Sequence, residues 1–183
     1  MATVLVPLAQ GCEELEAVTI IDLLRRAGIK VITAGLDDQP VTASRGVVLI
    51  ADTTIDQVIH KDFDMIVLPG GLPGATNLQK DPRVQQFLKD MHNTNRYTAA
   101  ICAAPKALAS AGLLDNRRAT SYPGSLDACL TNNMTYLEQP VVVDGKVITS
   151  RGPGTAMDFS LTLIELLAGK EKRREVEAAL MRP

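Results

Sequence analysis

Short apolar runs alternate along the chain with longer segments whose apolar positions recur every three to four residues. Residues 3–8, 30–35, 47–51, 64–68, 97–101, 141–143 and 146–149 read as strands. Several are continuously apolar rather than alternating in and out, which is the pattern of a sheet covered on both faces. Helices are predicted over 13–27, 82–93, 103–111, 126–131 and 155–167. The last is followed, after a break at Gly169, by 170–180. Strand–helix alternation of this kind predicts βαβ units, an α/β fold and a mostly parallel sheet. The stretch 37–62 is less regular and is expected to hold a small hairpin and a short helix.

Local punctuation agrees with these elements. Gly28 follows the first helix, where a left-handed terminal residue is common. Asp144-Gly145 between two β runs predicts a type I′ hairpin turn. Thr155, with Asp158 three residues on, predicts a capping box at the start of the late helix. No repeat or linker interrupts the 183 residues, so residues 1–183 are read as a single domain.

Composition narrows the function. Lys and Arg number 19 against 21 Asp and Glu, a net charge of −2. Such a chain lacks the basic footprint of a nucleic-acid binder. Aromatics make up 3% and Trp is absent, which removes base-stacking platforms as well. No apolar run reaches the roughly 18 residues that span a bilayer. The opening stretch has no basic segment leading into a long apolar one, so no secretory signal and a cytoplasmic location are expected. Three cysteines, Cys12, Cys102 and Cys129, form an odd set without CxxC spacing. Neither a disulfide framework nor a metal site is expected from them, and any special cysteine is special as a free thiol.

The segment Tyr97-Thr98-Ala99-Ala100-Ile101-Cys102-Ala103-Ala104-Pro105 carries the strongest chemical signal. An apolar strand ends at Cys102, and small residues with an early-turn proline open a helix at once. The geometry resembles a nucleophile elbow with Cys in place of Ser, without that motif's flanking glycines. A sulfur placed there lies at the carboxyl end of a parallel strand, where ligand sites of open α/β sheets cluster. Lowering a thiol pKa by about three units takes about 4 kcal/mol. A helix terminus supplies about 0.3–1 kcal/mol, so a further donor or cation is needed. The same residues also fit a small buried cysteine without chemistry.

Three other clusters sit at strand–helix junctions. In Gly11-Cys12-Glu13-Glu14-Leu15-Glu16, Glu13 and Glu14 suit a first helical turn. Glu16 lies further in, between Leu15 and Ala17, where burial would raise its pKa and leave it a hydrogen-bond donor. Leu68-Pro69-Gly70-Gly71 exposes backbone N–H groups after a strand, either as an ordinary tight turn or as an oxyanion site. Arg151, in Ser150-Arg151-Gly152-Pro153-Gly154, suits an anion or a surface ion pair. His60 and His92 lie in polar stretches and are read as surface histidines, so a Cys–His dyad is not expected. Cys129 is read as a packing residue, and 170–175 as a solvated helix face.

Taken in order, EELEAVTIIDLLRRAGIKV at 13–31, SRGVV at 44–48, DMIVLPGG at 64–71, AAICAAP at 99–105 and TSRGPGTAMDF at 149–159 resemble the DJ-1/PfpI (ThiJ) superfamily, in its DJ-1/YajL-like branch. The resemblance spans nearly the whole chain. It implies a flavodoxin-like three-layer sandwich, a homodimer, and no cofactor or metal. It implies that Cys102 is the reactive cysteine, Glu16 its protonated partner, and Gly71 and Ala103 the backbone donors around it. It places Arg26 and Arg45 near the pocket and the dimer contact, and Arg151 in the late Ser-Arg-Gly turn. The activity implied is glyoxalase or deglycase chemistry on methylglyoxal, glyoxal or their early protein adducts. The alternatives are a redox sensor or chaperone whose cysteine becomes a sulfinate and, among distant relatives, a cysteine amidase or peptidase. Two departures stand out. A histidine found beside the reactive cysteine in DJ-1-type members is Tyr122 here, and a second cysteine common before the Ser-Arg pair is Ala43.

Overall fold

The computed structural model describes residues 1–182. In chain order the strands are β1 (Thr3–Leu8), β2 (Lys30–Gly35), β3 (Val41–Thr42), β4 (Val48–Leu49), β5 (Thr53–Thr54), β6 (Met65–Leu68), β7 (Tyr97–Ile101), β8 (Arg118–Ala119), β9 (Thr135–Tyr136), β10 (Val141–Asp144) and β11 (Val147–Ser150). The helices are α1 (Glu14–Arg26), α2 (Ile55–Val58), α3 (Gly74–Lys80), α4 (Pro82–Asn93), α5 (Pro105–Ser110) and α6 (Ala156–Ala179).

A seven-stranded sheet runs β10-β11-β7-β6-β1-β2-β5. All its pairings are parallel except β10 with β11. α1 packs on α6, while α3, α4 and α5 pack on one another. These two helix groups cover the sheet, which explains why the central strands read as unbroken apolar runs: Val4, Leu5, Val6 and Met65 to Leu68 are buried. Chain order reverses around β1, since β1 leads to β2 on one side and β6 lies on the other. The carboxyl ends of β1 and β6 therefore open onto the crevice where α/β sheets hold ligands.

Helix α1 shows how local sequence sets an element. Ala17, Ile20, Leu23 and Leu24 are buried and share one face. The Glu13 side chain caps the start by accepting from Leu15 N. Gly28, at φ 74°, ends it: Gly28 N–H bonds Arg25 C=O and Ile29 N–H bonds Leu24 C=O. That is a Schellman termination. At Gly169 the backbone leaves helical geometry (φ 87°, ψ 167°), so the expected break divides α6 into two helical stretches.

Elsewhere the structure corrects the pattern. The helix expected over 126–131 is a run of turns, closed by Asp127 N to Gly124 O and Cys129 N to Leu126 O. Leu126 is buried but Leu130 is 98% exposed, so no apolar stripe exists to hold a helix there. The strand expected over 47–51 shrinks to β4, which pairs with β3 outside the main sheet, and β5 takes the sheet edge instead. Helix α3 was hidden by Gly74, Thr76 and Asn77, weak helix formers that tertiary packing of Ala75 and Leu78 overrides. α5 begins at Pro105 rather than 103, because residues 102–104 form the turn. Asp144 stays in the ladder opposite Val147, so the hairpin loop is Gly145-Lys146. Only Gly145 has positive φ (61°), which rules out type I′. Thr155 does not cap α6; its hydroxyl turns back onto Gly152 and Ser150. No described helix is long and apolar enough to cross a membrane.

Candidate functional site

Strand β7 delivers Cys102 to the carboxyl edge of the sheet. Its φ is 63°, a left-handed conformation that costs a non-glycine residue about 1–2 kcal/mol. The surroundings enforce it. Cys102 N–H donates to Ser150 C=O at 3.0 Å, its own C=O accepts Tyr122 N–H at 2.8 Å, and Ala104 N–H bonds Ile101 C=O at 3.0 Å. This is the sharp strand-to-helix turn that the small residues Ala103 and Ala104 anticipate.

Helix α1 brings Glu16 to the same point. The residue is fully buried, and its Oε2 accepts Gly70 N–H at 2.8 Å. Its other oxygen, Oε1, is buried without a hydrogen-bond partner, and the Cys102 side chain lies beside the same carboxyl across Gly70. Gly70 must be glycine. A Cβ there would stand 2.6 Å from Cys102 Cβ and 2.7 Å from Glu16 Oε2. Gly71, at φ 86°, continues the turn, and Glu13 N–H donates to Gly70 C=O at 2.9 Å. The loop after β6 is thereby locked between α1 and the elbow.

Burial pushes the Glu16 carboxyl up to about 7, against the opposing pull of Gly70 N–H and the thiol. Burial, then the charge and hydrogen bond of Glu16, pushes the Cys102 thiol up to about 12, while the N–H groups of Gly71 and Ala103 pull it down. The two groups therefore hold at most one negative charge between them near neutral pH. Where sulfur is ionised, the carboxyl beside it keeps its proton. The residue is 9% exposed, against 0% for Cys12.

Of the residues named from sequence, Cys102, Glu16, Gly71 and Ala103 come together. Arg26 does not. It pairs with Asp22 at 2.8 Å at the far end of α1, about 15 Å along the axis from Glu16, so within one subunit it is not a pocket residue. Arg45 lies on the β3–β4 turn, where its N–H donates to Glu14 and its guanidinium bonds Ser44 C=O. That turn borders the start of α1, since Ser44 N–H bonds Cys12 C=O at 2.8 Å and its hydroxyl bonds Glu13. Arg151 follows Ser150, the residue that accepts Cys102 N–H, and its guanidinium has no carboxylate partner among the described residues. His60 and His92 stand at the end of α2 and in α4, outside the cluster.

Cys12 is fully buried, and burial and then Glu14 push its thiol up to about 11. Cys129 is raised by burial. Sequence reasoning read Thr155 as a helix cap and Ser150 only as the neighbour of Arg151, not as parts of the site. Their hydroxyls meet at 2.7 Å, and Ser150 Oγ also bonds Pro140 C=O at 2.8 Å, which fixes the turn behind the elbow. The density of Ser, Gly, Pro and Thr in that stretch was the available signal.

A parallel α/β sheet with an elbow cysteine over a buried helix carboxyl, at the topological switch point, defines a cysteine-centred class within the doubly wound proteins. The model of the DJ-1/PfpI family matches residues 2–166, and the chain belongs to that family. Protein dj-1beta of Drosophila melanogaster is 46% identical over 179 residues, covering 97% of this chain and 95% of that protein. Its crystal structure superposes with a TM-score of 0.94 at 45% identity, over 100% of this chain and 98% of that one. Protein DJ-1 homolog A of Arabidopsis thaliana is 44% identical over 181 residues, or 98% of this chain; the chain spans about half the length of that relative, 46%. A Caenorhabditis elegans protein named glutathione-independent glyoxalase DJR-1.2 is 36% identical over 171 residues, covering 93% of this chain and 90% of that protein.

Proposed function

We propose that this protein is a DJ-1-type stress protein that converts small α-dicarbonyls, methylglyoxal or glyoxal, to hydroxy acids without a cofactor. One observation carries the reading: the elbow cysteine Cys102 and the fully buried carboxyl of Glu16 converge on Gly70, where an added Cβ would lie 2.6 Å from the one and 2.7 Å from the other. The N–H groups of Gly71 and Ala103 favour the ionised sulfur, and the chemistry runs through the form of the pair in which sulfur carries the charge and Glu16 the proton. The thiolate then attacks the aldehyde carbon, forming an S–C bond, and the carbonyl electrons move to oxygen. The Gly71 and Ala103 N–H groups steady that oxyanion until Glu16 gives it the proton. Glu16, now ionised, removes the hydrogen of the former aldehyde carbon as a proton, leaving an enediolate, and returns it to the neighbouring carbon while the hydroxyl proton passes to the neighbouring oxygen. The product is a hydroxyacyl thioester. Water cleaves its S–C bond, hydroxide going to the acyl carbon and the remaining proton to Glu16, which releases the acid and restores the thiolate and the protonated carboxyl. The same attack on an early glyoxal adduct would give a deglycase outcome. The glyoxalase name of the worm relative favours this chemistry. With His60 and His92 outside the cluster, amidase or peptidase chemistry has no histidine base beside Cys102.

A second reading uses the same geometry. A cysteine at the elbow, beside a carboxyl that holds a proton and the N–H groups of Gly71 and Ala103 that favour its anion, would also hold a sulfinate formed by peroxide, in the manner of a redox sensor. We place the homodimer contact on an apolar patch made of Leu15 and Val18 of α1 with Val47, Val48 and Ile50 of the β3–β4 hairpin. All are exposed, and Val18, Leu49 and Ile50 line one cleft.

The test of the enzyme reading is production of lactate from methylglyoxal by purified protein without glutathione. The wild type should turn over and Cys102→Ser should not; equal rates would end the proposal. The sensor reading requires two oxygens added at Cys102 alone after mild peroxide, seen by mass spectrometry. Equal oxidation of Cys12 and Cys129 would refute it.

A further inference from the structure

Cys102 is tied to a second wall that the chemistry above does not use. Its carbonyl accepts Tyr122 N–H at 2.8 Å. The Tyr122 carbonyl in turn accepts Ser121 Oγ at 2.8 Å and Ser125 N–H at 3.0 Å. Ser121 is itself fully buried, and its carbonyl takes Tyr136 Oη at 3.0 Å. Pro123 restricts Tyr122 from the other side, because a residue before proline is confined to extended conformations. The Tyr122 backbone is thus fixed on every side, yet its side chain is left uncovered, with the residue 52% exposed. Beneath the ring lies Gly152, on the turn after Ser150, whose carbonyl holds Cys102 N–H. A Cβ at Gly152 would come within 3.4 Å of Tyr122 Cδ2, so glycine there gives the ring a flat seat. An exposed ring seated on Gly152, whose backbone is one hydrogen bond from the reactive residue, is a surface a ligand at the elbow can use.

We infer that Tyr122 is a specificity-determining residue, an aromatic wall that favours α-ketoaldehydes carrying a flat aryl substituent over those carrying a methyl group. The inference rests on the dicarbonyl chemistry proposed above and names the substrate class for the same site. In this inference the substituent of a carbonyl carbon bound to Cys102 leaves the elbow on the Tyr122 side. A methyl group there covers little of the ring. An aryl group gains an offset or edge-to-face contact, which corresponds to a preference of about three- to tenfold.

Two measurements on wild type, Tyr122→Phe and Tyr122→Leu separate the wall from the catalysis. The first is the alkylation rate of Cys102 by 2-bromoacetophenone and by bromoacetone, followed by mass spectrometry. In both, the thiolate forms the S–C bond and bromide leaves, so no turnover is required. The second is kcat/KM for phenylglyoxal and methylglyoxal. In each case the aryl-to-methyl ratio in Tyr122→Leu should fall about three- to tenfold below wild type, and Tyr122→Phe should keep the wild-type ratio. Taking ratios cancels any general loss of reactivity from a disturbed fold. An unchanged alkylation ratio in Tyr122→Leu overturns the wall even if both dicarbonyls are turned over. A lowered alkylation ratio with no turnover of either dicarbonyl upholds the wall and refutes the glyoxalase reading. A ratio lost equally in Tyr122→Phe overturns the aromatic basis and assigns the effect to the hydroxyl.

Discussion

Replacing Glu16 by Leu should raise the apparent pKa of Cys102 by about one to two units. The carboxyl is fully buried, its Oε2 is held by Gly70 N–H, and it lies beside the Cys102 side chain across Gly70. If the proton of the pair rests on the carboxyl, Leu removes a donor from an anionic sulfur. A hydrogen bond to a charged group contributes about 1.5–3 kcal/mol, and one pKa unit is about 1.4 kcal/mol. The sign is diagnostic. If the carboxyl were instead ionised beside a neutral thiol, its removal would relieve repulsion and lower the cysteine's pKa. The assay is the pH dependence of iodoacetamide alkylation at Cys102, resolved by mass spectrometry. Leu also strands Gly70 N–H, a loss of about 1–3 kcal/mol in stability, so circular dichroism must show a folded variant. Glu16→Gln provides a second measurement: it keeps an acceptor for Gly70 and offers sulfur a weaker donor, so a smaller rise is expected. A fall, or no change in both variants, would place the proton on sulfur and remove the thiolate mechanism.

Other outcomes follow from the same geometry. Burial raises the Glu16 pKa in the folded protein from 4.5 to about 7, so the native state favours the protonated form. Its contribution is full below about pH 4.5 and is lost as pH rises through 7, a change of about 3 kcal/mol. Urea melts should show wild type losing about that much relative to Glu16→Gln between about pH 4 and 8, and a constant difference would refute the assignment. Gly70→Ala should cut Cys102 alkylation at least about tenfold and destabilise by about 1–3 kcal/mol, because its Cβ would stand 2.6 Å from that of Cys102; normal alkylation would show that the loop yields freely. Ile50→Glu puts a charge on the apolar patch at a residue 83% exposed. Sedimentation velocity should show the wild type as a dimer and the variant as a monomer, and an unshifted variant would move the contact elsewhere.

The sequence by itself determined the sheet and its coverage. Continuous apolar runs such as 3–8 and 64–68 can satisfy both faces only in a covered parallel sheet, and α1 carries its own periodicity, cap and terminal glycine. Cys102 and Glu16 were legible too, because an apolar strand stopping at a cysteine and an acid set among apolar neighbours are both local anomalies. What lay beyond reach was decided by contacts distant in sequence. Helix α3 forms against propensity because Ala75 and Leu78 are buried. The segment 126–131 fails as a helix because nothing covers Leu130. Val48 and Leu49 leave the main sheet because β5 pairs with β2. Only folding brought Gly70, 54 residues from Glu16, to within 2.8 Å of its carboxyl. The ionisation of the site lives in that approach. Charge on a buried atom depends on which donors converge on it, and convergence belongs to the three-dimensional packing of β1, β6 and β7.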